Sequence, residues 1–288
     1  MRVLIAGASG FLGTALVERL TADEHEVVRL VRHRAQGPEE AAWSPGAGII
    51  DFTVMERVDA VVNLSGASLS RQPWTKGYQG EIVDSRVTAT RTLADAMRKS
   101  RRPPAIFLSA SAVGYYGNRP GELLTEFSSA GSGFLAEVVQ RWEGAAALAP
   151  DATRTATLRT GIVVGHGGAM QRIGMLTRFG LSSRLGTGGQ HWPWISLHDE
   201  VGAIAHLLTS KLSGPVNLAG PTPATADRVM TAMAERMLGL ALGRAADELL
   251  LSSQKVRPLR LIDDGYRFEH ATVESALDAM LSAPRARA

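Results

Sequence analysis

Three glycines, Gly7, Gly10 and Gly13, stand at three-residue spacing directly behind a short apolar, β-prone run from Arg2 to Ala6. From Phe11 the apolar period becomes helical, with Leu12, Ala15, Leu16 and Leu20 on one face. A strand, a glycine turn and a helix start in such close succession form a cradle for a pyrophosphate. One glycine permits the tight turn, one lets backbone N–H groups approach the anion, and one lets the helix pack close to the strand. The helix N-terminus adds partial positive charge. The stretch Gly7-Ala-Ser-Gly-Phe-Leu-Gly13 therefore predicts a dinucleotide site, with Ser9, Phe11 and Leu12 as contacts between the glycines.

A second strand, Glu26 to Val31, ends in Arg32-His33-Arg34. A ribose with a free 2′-hydroxyl usually meets an Asp or Glu at this strand end, whereas a 2′-phosphate is accommodated by an Arg. No acid occurs between Val27 and Pro38. Arg32, with Arg34 as a second contact, thus points to NADP(H).

The elements that position these residues alternate. Strand-like runs at Val3–Ala6, Val27–Val31, Ala60–Leu64, Ala105–Leu108 and Thr155–Val164 are separated by helical patterns near Leu12–Leu20, Glu81–Arg98 and Phe134–Leu148. This β-α-β alternation predicts an α/β fold, a Rossmann-type doubly wound parallel sheet over residues 1–165. After about Gly165 come the glycine loops Gly165–Gly168 and Gly186–Gln190, the aromatic pair Trp192 and Trp194, and helical patterns near Asp199–Ser210, Ala226–Met237 and Thr272–Leu281. Residues 166–288 read as a smaller C-terminal substrate-side lobe closing a cleft, with part of this later chain returning to the first domain.

Composition excludes several classes. The 288 residues include no cysteine, which removes disulfides and thiolate zinc sites. The seven histidines show no His-x-x-x-His pairing, so no metal site is expected. The formal net charge is only +3 and the basic residues are scattered, which argues against nucleic acid as a partner. No run of 18 apolar residues and no signal-peptide pattern is present, so no membrane partner and a cytoplasmic location are expected. A monomer or homodimer is expected.

Five pieces occur in order: the glycine turn, Asn63-Leu-Ser-Gly66, Ser109-Ala-Ser-Ala-Val-Gly-Tyr-Tyr-Gly117, Arg159-Thr-Gly-Ile-Val-Val-Gly165 and Trp194-Ile-Ser-Leu-His-Asp199. With these the chain resembles the extended and atypical short-chain dehydrogenase/reductase superfamily. Trp142-Glu143, Gly214-Pro-Val-Asn-Leu218 and Val256-Arg-Pro-Leu259 narrow the resemblance to a group of sugar-nucleotide-epimerase-like proteins, also labelled cell-division-inhibitor-like. The resemblance implies that Asn63, Leu64, Ser65 and Gly66 lie beside the adenine and ribose. It places Ser109 and Ser111 near the nicotinamide. Ser111 stands four residues before Tyr115, the superfamily's catalytic Ser-to-Tyr offset in this turn, but Tyr116 precedes Gly117 and leaves Tyr115 and Tyr116 both open. Relatives carry an Arg-Pro connector after the position of Met237; this chain goes straight on, which predicts a trimmed lobe.

The superfamily's acid–base chemistry uses a Tyr and a Lys four residues apart on the next helix. Here those positions hold Phe134 and Val138. The only lysines are Lys76, Lys99, Lys211 and Lys255, and the residues four before them are Gln72, Asp95, Leu207 and Leu251. No Tyr-x-x-x-Lys exists. Ser111, Tyr115 and Tyr116 remain as catalytic candidates, with Glu126, Glu137, His191 and His198 behind them. Trp74, Gln190 and Trp192, with Tyr78 and Trp194, suit the lining of a substrate pocket for a small molecule such as a sugar nucleotide or another carbonyl compound. Two functions follow: an NADP(H)-dependent oxidoreductase or epimerase, or a non-catalytic NADP(H)-binding regulator, for example in cell division.

Overall fold

The computed structural model describes residues 1–69, 71, 73–167, 170, 187–234 and 252–282. In chain order the strands are β1 (Arg2–Ala6), β2 (Glu26–Val31), β3 (Glu40–Ser44), β4 (Ile49–Ile50), β5 (Ala60–Asn63), β6 (Ile106–Ala112), β7 (Arg119–Leu124), β8 (Arg154–Thr160), β9 (Ile162–Val164), β10 (His191–Trp192), β11 (Trp194–Ser196), β12 (Gly214–Leu218), β13 (Ala224–Thr225) and β14 (Gln254–Val256). The helices are α1 (Phe11–Ala22), α2 (Lys76–Lys99), α3 (Phe134–Ala146), α4 (Leu197–Thr209), α5 (Ala226–Ala234), α6 (Leu259–Asp263) and α7 (Val273–Ser282).

An eight-stranded sheet has the order β12-β8-β6-β5-β1-β2-β3-β4. Every neighbouring pair is parallel except β3 with β4. β1 and β5 are nearly all Val, Leu, Ile and Ala and are buried on both faces, as a central parallel strand requires. On one face α1 and α4 bring Leu16, Val17, Leu20, Val201, Ile204 and Leu207 against the sheet. On the other, Ala89, Leu93 and Met97 of α2 pack on Leu4, Val61 and Phe107. Strand order reverses between β1 and β5, and in such sheets the crevice at the carboxyl ends of these strands receives ligands. The fold is the expected Rossmann-type α/β sheet.

The structure departs from the sequence pattern at two places. The run Thr155–Val164 is two strands broken at Gly161. A Cβ there would lie 2.2 Å from the carbonyl oxygen of Pro193. The chain therefore leaves the main sheet, and β9 pairs with β11 instead. Helix α2 begins at Lys76, ahead of Glu81, because the Thr75 hydroxyl accepts from the N–H of Tyr78 at 3.2 Å. Gly77 and Gly80 had hidden that first turn from the apolar period. After α4 the chain adds β12 to the main sheet beside β8. A separate buried cluster gathers Val164, Trp192, Trp194, Val229, Val273 and Leu277. Gly168, Gly186 and the stretch after Met237 fall outside the described residues.

Candidate functional site

Gly7 has φ +81°, and a Cβ on it would lie 2.8 Å from the Leu64 carbonyl. A Cβ on Gly13 would lie 2.1 Å from the Gly7 carbonyl oxygen. The turn closes with the Gly10 N–H donating to Gly7 O at 3.0 Å and the Thr14 N–H to Gly10 O at 2.9 Å. Gly10 caps α1 without a side chain, and no acid stands in the first turn. The N–H groups at the start of α1, from Phe11 and Leu12 on, are thus left for an anion. The ring of Phe11 lies under the loop after β9, close against Gly165 and Gly167.

A cavity of about 1700 Å³ runs from this turn along the carboxyl ends of the strands. Gly7, Ser9, Gly10, Leu64, Ser65, Gly66 and Arg32 line it. Phe11, Leu12, Gly13, Arg34, Asn63, Ser109, Ser111, Trp74, Gln190 and Trp192 are not on its wall. Arg29 and His33 line it beside Arg32, and so does Glu40, a carboxylate just beyond the acid-free stretch. Glu40 is engaged by the Gln36 N–H at 2.9 Å. Asn63 is wholly buried and shapes the wall from behind. Its Oδ1 accepts from the Ser65 N–H at 3.1 Å and its Nδ2 donates to Thr90 at 2.8 Å. Ser109, also wholly buried, lies in register with Asn63.

Beyond the carboxyl end of β6 the candidate catalytic residues meet a buried polar network. Register pairs Ser111 with Arg159. The Ser111 hydroxyl donates to Glu143 Oε1 at 2.6 Å. Arg159 grips both oxygens of Glu143, at 2.8 and 2.9 Å, and donates to the Tyr116 hydroxyl at 3.1 Å. The Tyr116 hydroxyl donates to Asn217 at 2.6 Å. Tyr116 has no exposed surface, and burial, opposed in part by Arg159, pushes its hydroxyl up to about 12. Burial alone would lower Arg159, but its bonds to Glu143 keep it above the usual arginine range. Tyr115 differs. It is half-buried, its ring centroid lies 3.5 Å from the Arg159 guanidinium, and its hydroxyl bonds no described residue. The ambiguity between the two tyrosines thus separates into an anchored hydroxyl and an open one.

The positions where the superfamily's dyad would sit are apolar. Val138 packs with Tyr78, Ile82 and Val83, and Phe134 joins them at the margin. Trp74 stands edge-on to Phe134 at 6.0 Å, its indole N–H donating to Leu69 O. Trp192 is 1% exposed inside the cluster that also holds Trp194 and Leu277, and Gln190 is buried close by in sequence. Glu126 is buried and raised by that burial; its Oε1 accepts from the N–H groups of Asn217 and Arg260, while Oε2 has no partner. Glu137 is exposed, His198 pairs with Glu269 at 3.1 Å, and His191 is lowered by burial and by Lys255.

In the sequence Glu143, Arg159 and Asn217 stand only within motifs that mark the resemblance, and Arg29 lies in an ordinary strand pattern. A signal was available for the first two. A Glu and an Arg on apolar elements, each next to buried residues, need partners.

Comparison with known proteins follows this geometry. The profile described as the NAD dependent epimerase/dehydratase family matches residues 3–219, and a domain of unknown function, DUF1731, matches residues 233–280. The chain is 39% identical over 297 residues to the epimerase family protein ML0860 of Mycobacterium leprae, covering 98% of this chain and 96% of that one. The crystal structure of the human epimerase family protein SDR39U1 with NADPH superimposes with a TM-score of 0.85 at 32% identity, covering 97% of this chain and 99% of that one. A nucleoside-diphosphate sugar epimerase from Corynebacterium glutamicum gives 0.84 at 30% identity, covering 98% of this chain and 58% of that one. The parallel sheet, the glycine turn and these matches have one explanation: the chain belongs to the NAD dependent epimerase/dehydratase family.

Proposed function

We propose that the chain binds NADP(H) and acts as an oxidoreductase or sugar-nucleotide epimerase, interconverting a hydroxyl and a carbonyl on a small-molecule substrate. The observation that carries this reading is one cavity that reaches from the glycine cradle to Arg32. The residues fit the cofactor. The cavity, at about 1700 Å³, exceeds the roughly 300–1,000 Å³ of ordinary ligand pockets. The cradle is open only because its positions lack a Cβ. The NADPH-bound human relative supports the choice of cofactor, and the C. glutamicum epimerase supports a nucleoside-diphosphate sugar as substrate class.

When bound, the cofactor supplies or accepts a hydride. The N–H groups at the start of α1 hold the diphosphate, and Arg32 meets the 2′-phosphate. Tyr115, which is not on the wall of that cavity, is assigned to the substrate oxygen on the strength of its open hydroxyl and its place just past β6. Its open hydroxyl gives a proton to a carbonyl oxygen on reduction and takes one back on oxidation. Arg159, stacked on its ring and clamped by Glu143, fixes the ring's orientation. Ser111 is held by the same carboxylate.

The test follows NADPH absorbance against a panel of carbonyl compounds and sugar nucleotides. Turnover is expected, and Tyr115→Phe is expected to lower it about 100-fold or more with NADPH affinity unchanged. Tight NADPH binding with no turnover anywhere in the panel overturns the enzyme. It would leave a non-catalytic NADP(H)-binding regulator, which the apolar packing of Phe134 and Val138 favours.

A further inference from the structure

Residues 264–270 lie between α6 and α7 and cross α4 without entering a sheet. Asp264, Tyr266, Phe268 and His270 are half-buried, while Gly265, Arg267 and Glu269 between them are exposed. This is the alternation of a strand, yet no described strand pairs with it. Side chains hold it instead. The Tyr266 and Phe268 rings pack on the core that α4 shares with the sheet, and the Asp199 carboxylate takes the N–H groups of Glu269 and His270. Three more ties each join a histidine to a carboxylate. His206 Nε2 of α4 lies 2.7 Å from Asp264 Oδ2, and His198 Nε2 of α4 lies 3.1 Å from Glu269 Oε2. In the reverse sense, His270 Nδ1 lies 3.4 Å from Asp199 Oδ2 of α4 and 3.0 Å from the Ser196 hydroxyl oxygen.

Each of these contacts is an ion pair only while its histidine carries a proton, and histidine changes charge between about pH 5 and 8. Burial would raise Asp264, but bonds from Ser210 and His206 hold it below the usual carboxylate range. Other charges face the same segment. Arg154 of β8 and Arg260 of α6 act on Asp264. Arg19 of α1 and Glu200 of α4 act on Tyr266, whose hydroxyl donates to the Asp199 carbonyl at 2.9 Å. The His198 and His270 rings stand 5.9 Å apart, so their charges repel, but each has a carboxylate of its own. The segment closes on the start of α4, where Leu197 meets the loop at Gly165 beside Phe11.

We propose that residues 264–270 are a proton-operated clasp: protonated His198, His206 and His270 hold it shut on α4, and their loss of protons loosens it. The sign follows from linkage. Protonation favours the closed form, so opening becomes easier as pH rises through the histidine range. Tyr266 and Phe268 keep their apolar contacts at every pH, so the loosening is local and the chain stays folded. The clasp does not depend on the cofactor reading above.

The test is native-state amide exchange on the full chain, read as protection factors at Tyr266, Glu269 and His270 relative to Val61 and Val62 of β5, which report global unfolding. Relative protection is expected to be about tenfold higher at about pH 5.5 than at about pH 8, the difference between a charge-assisted and a neutral hydrogen bond. Glu200, which burial pushes up to about 8, titrates in the same window. The ratio is therefore expected to persist in Glu200→Gln, which removes that titration. His198 and His206 both reach solvent, so His198→Gln with His206→Gln leaves the core intact and keeps neutral donors. This double variant is expected to bring the ratio below about threefold. Clasp amides that follow β5 at both pH values, a ratio lost in Glu200→Gln, or a ratio still near tenfold in the double variant overturns the proposal.

Discussion

Arg32 faces two cofactors that differ by one phosphate. It lines the cavity at the end of β2, with Arg29 and His33 beside it and Glu40 already engaged by Gln36. A charge-assisted hydrogen bond to the 2′-phosphate contributes about 1.5–3 kcal/mol, which corresponds to at least about tenfold in affinity. NADPH is therefore expected to bind tighter than NADH by that factor, and Arg32→Ala to erase the difference. Calorimetric titration of both cofactors decides it; equal affinities in the unaltered chain remove the assignment. The glycine turn and the basic end of β2 are set by near neighbours in sequence and are legible in Gly7, Gly10 and Arg32. The difference between the Tyr115 and Tyr116 hydroxyls is not. It depends on Arg159, which reaches them through the β6–β8 register, and on Asn217 from β12. Such long-range pairings leave no local pattern.

Elements tell a similar story. The strands of the central sheet and the long helices announce themselves by apolar period, because each buries a continuous face. The strands β4, β10, β13 and β14 carry too few residues for a period, β3 and β7 are largely exposed and carry no apolar run, and β14 finds its partner β7 far back in the chain. One contact between elements is carried by Asp199, in the first turn of α4. Its carboxylate accepts from the Ser196 hydroxyl at 2.7 Å, from the Glu269 N–H at 2.8 Å and from the His270 N–H at 3.0 Å. Asp199→Ala would leave the α4 cap from the Ser196 hydroxyl to the residue-199 N–H in place but remove the acceptor of the Ser196 hydroxyl and of the Glu269 and His270 N–H groups. With an unsatisfied buried donor costing about 1–3 kcal/mol, a loss of that order is expected in denaturant unfolding. Amide hydrogen exchange at residues 266–270 should accelerate with it. A variant as stable as the original, with unchanged exchange there, would contradict this account.

At the scale of the whole molecule, pH stability turns on Glu200. It is fully buried, its Oε1 accepts from the Thr160 hydroxyl at 2.8 Å and its Oε2 has no partner. Burial pushes its carboxyl up to about 8 from an ordinary 4.5. The unfolded chain therefore loses this proton first. The contribution of Glu200 to stability is full below about pH 4.5, falls as pH rises toward 8 and levels off above it. At pH 7 the deficit is on the order of 3 kcal/mol. Glu200→Gln keeps an acceptor for Thr160 and cannot ionise. Its melting temperature should exceed that of the unaltered chain at pH 7–8 and converge with it near pH 4. Parallel pH profiles for the two proteins would refute the assignment.

β12 also does something for the molecule that no ligand would reveal. It pairs along β8, from Gly214 with Ala156 to Leu218 with Thr160, and forms the outermost strand on that side. A chain shortened to end at Val164 would bare the side of β8 that β12 covers, while β6 still covered the other. An unpaired strand edge recruits another chain. The pairing of β12 along β8 is thus a guard against self-association, and such a truncation would yield a sticky fragment instead of a smaller working domain.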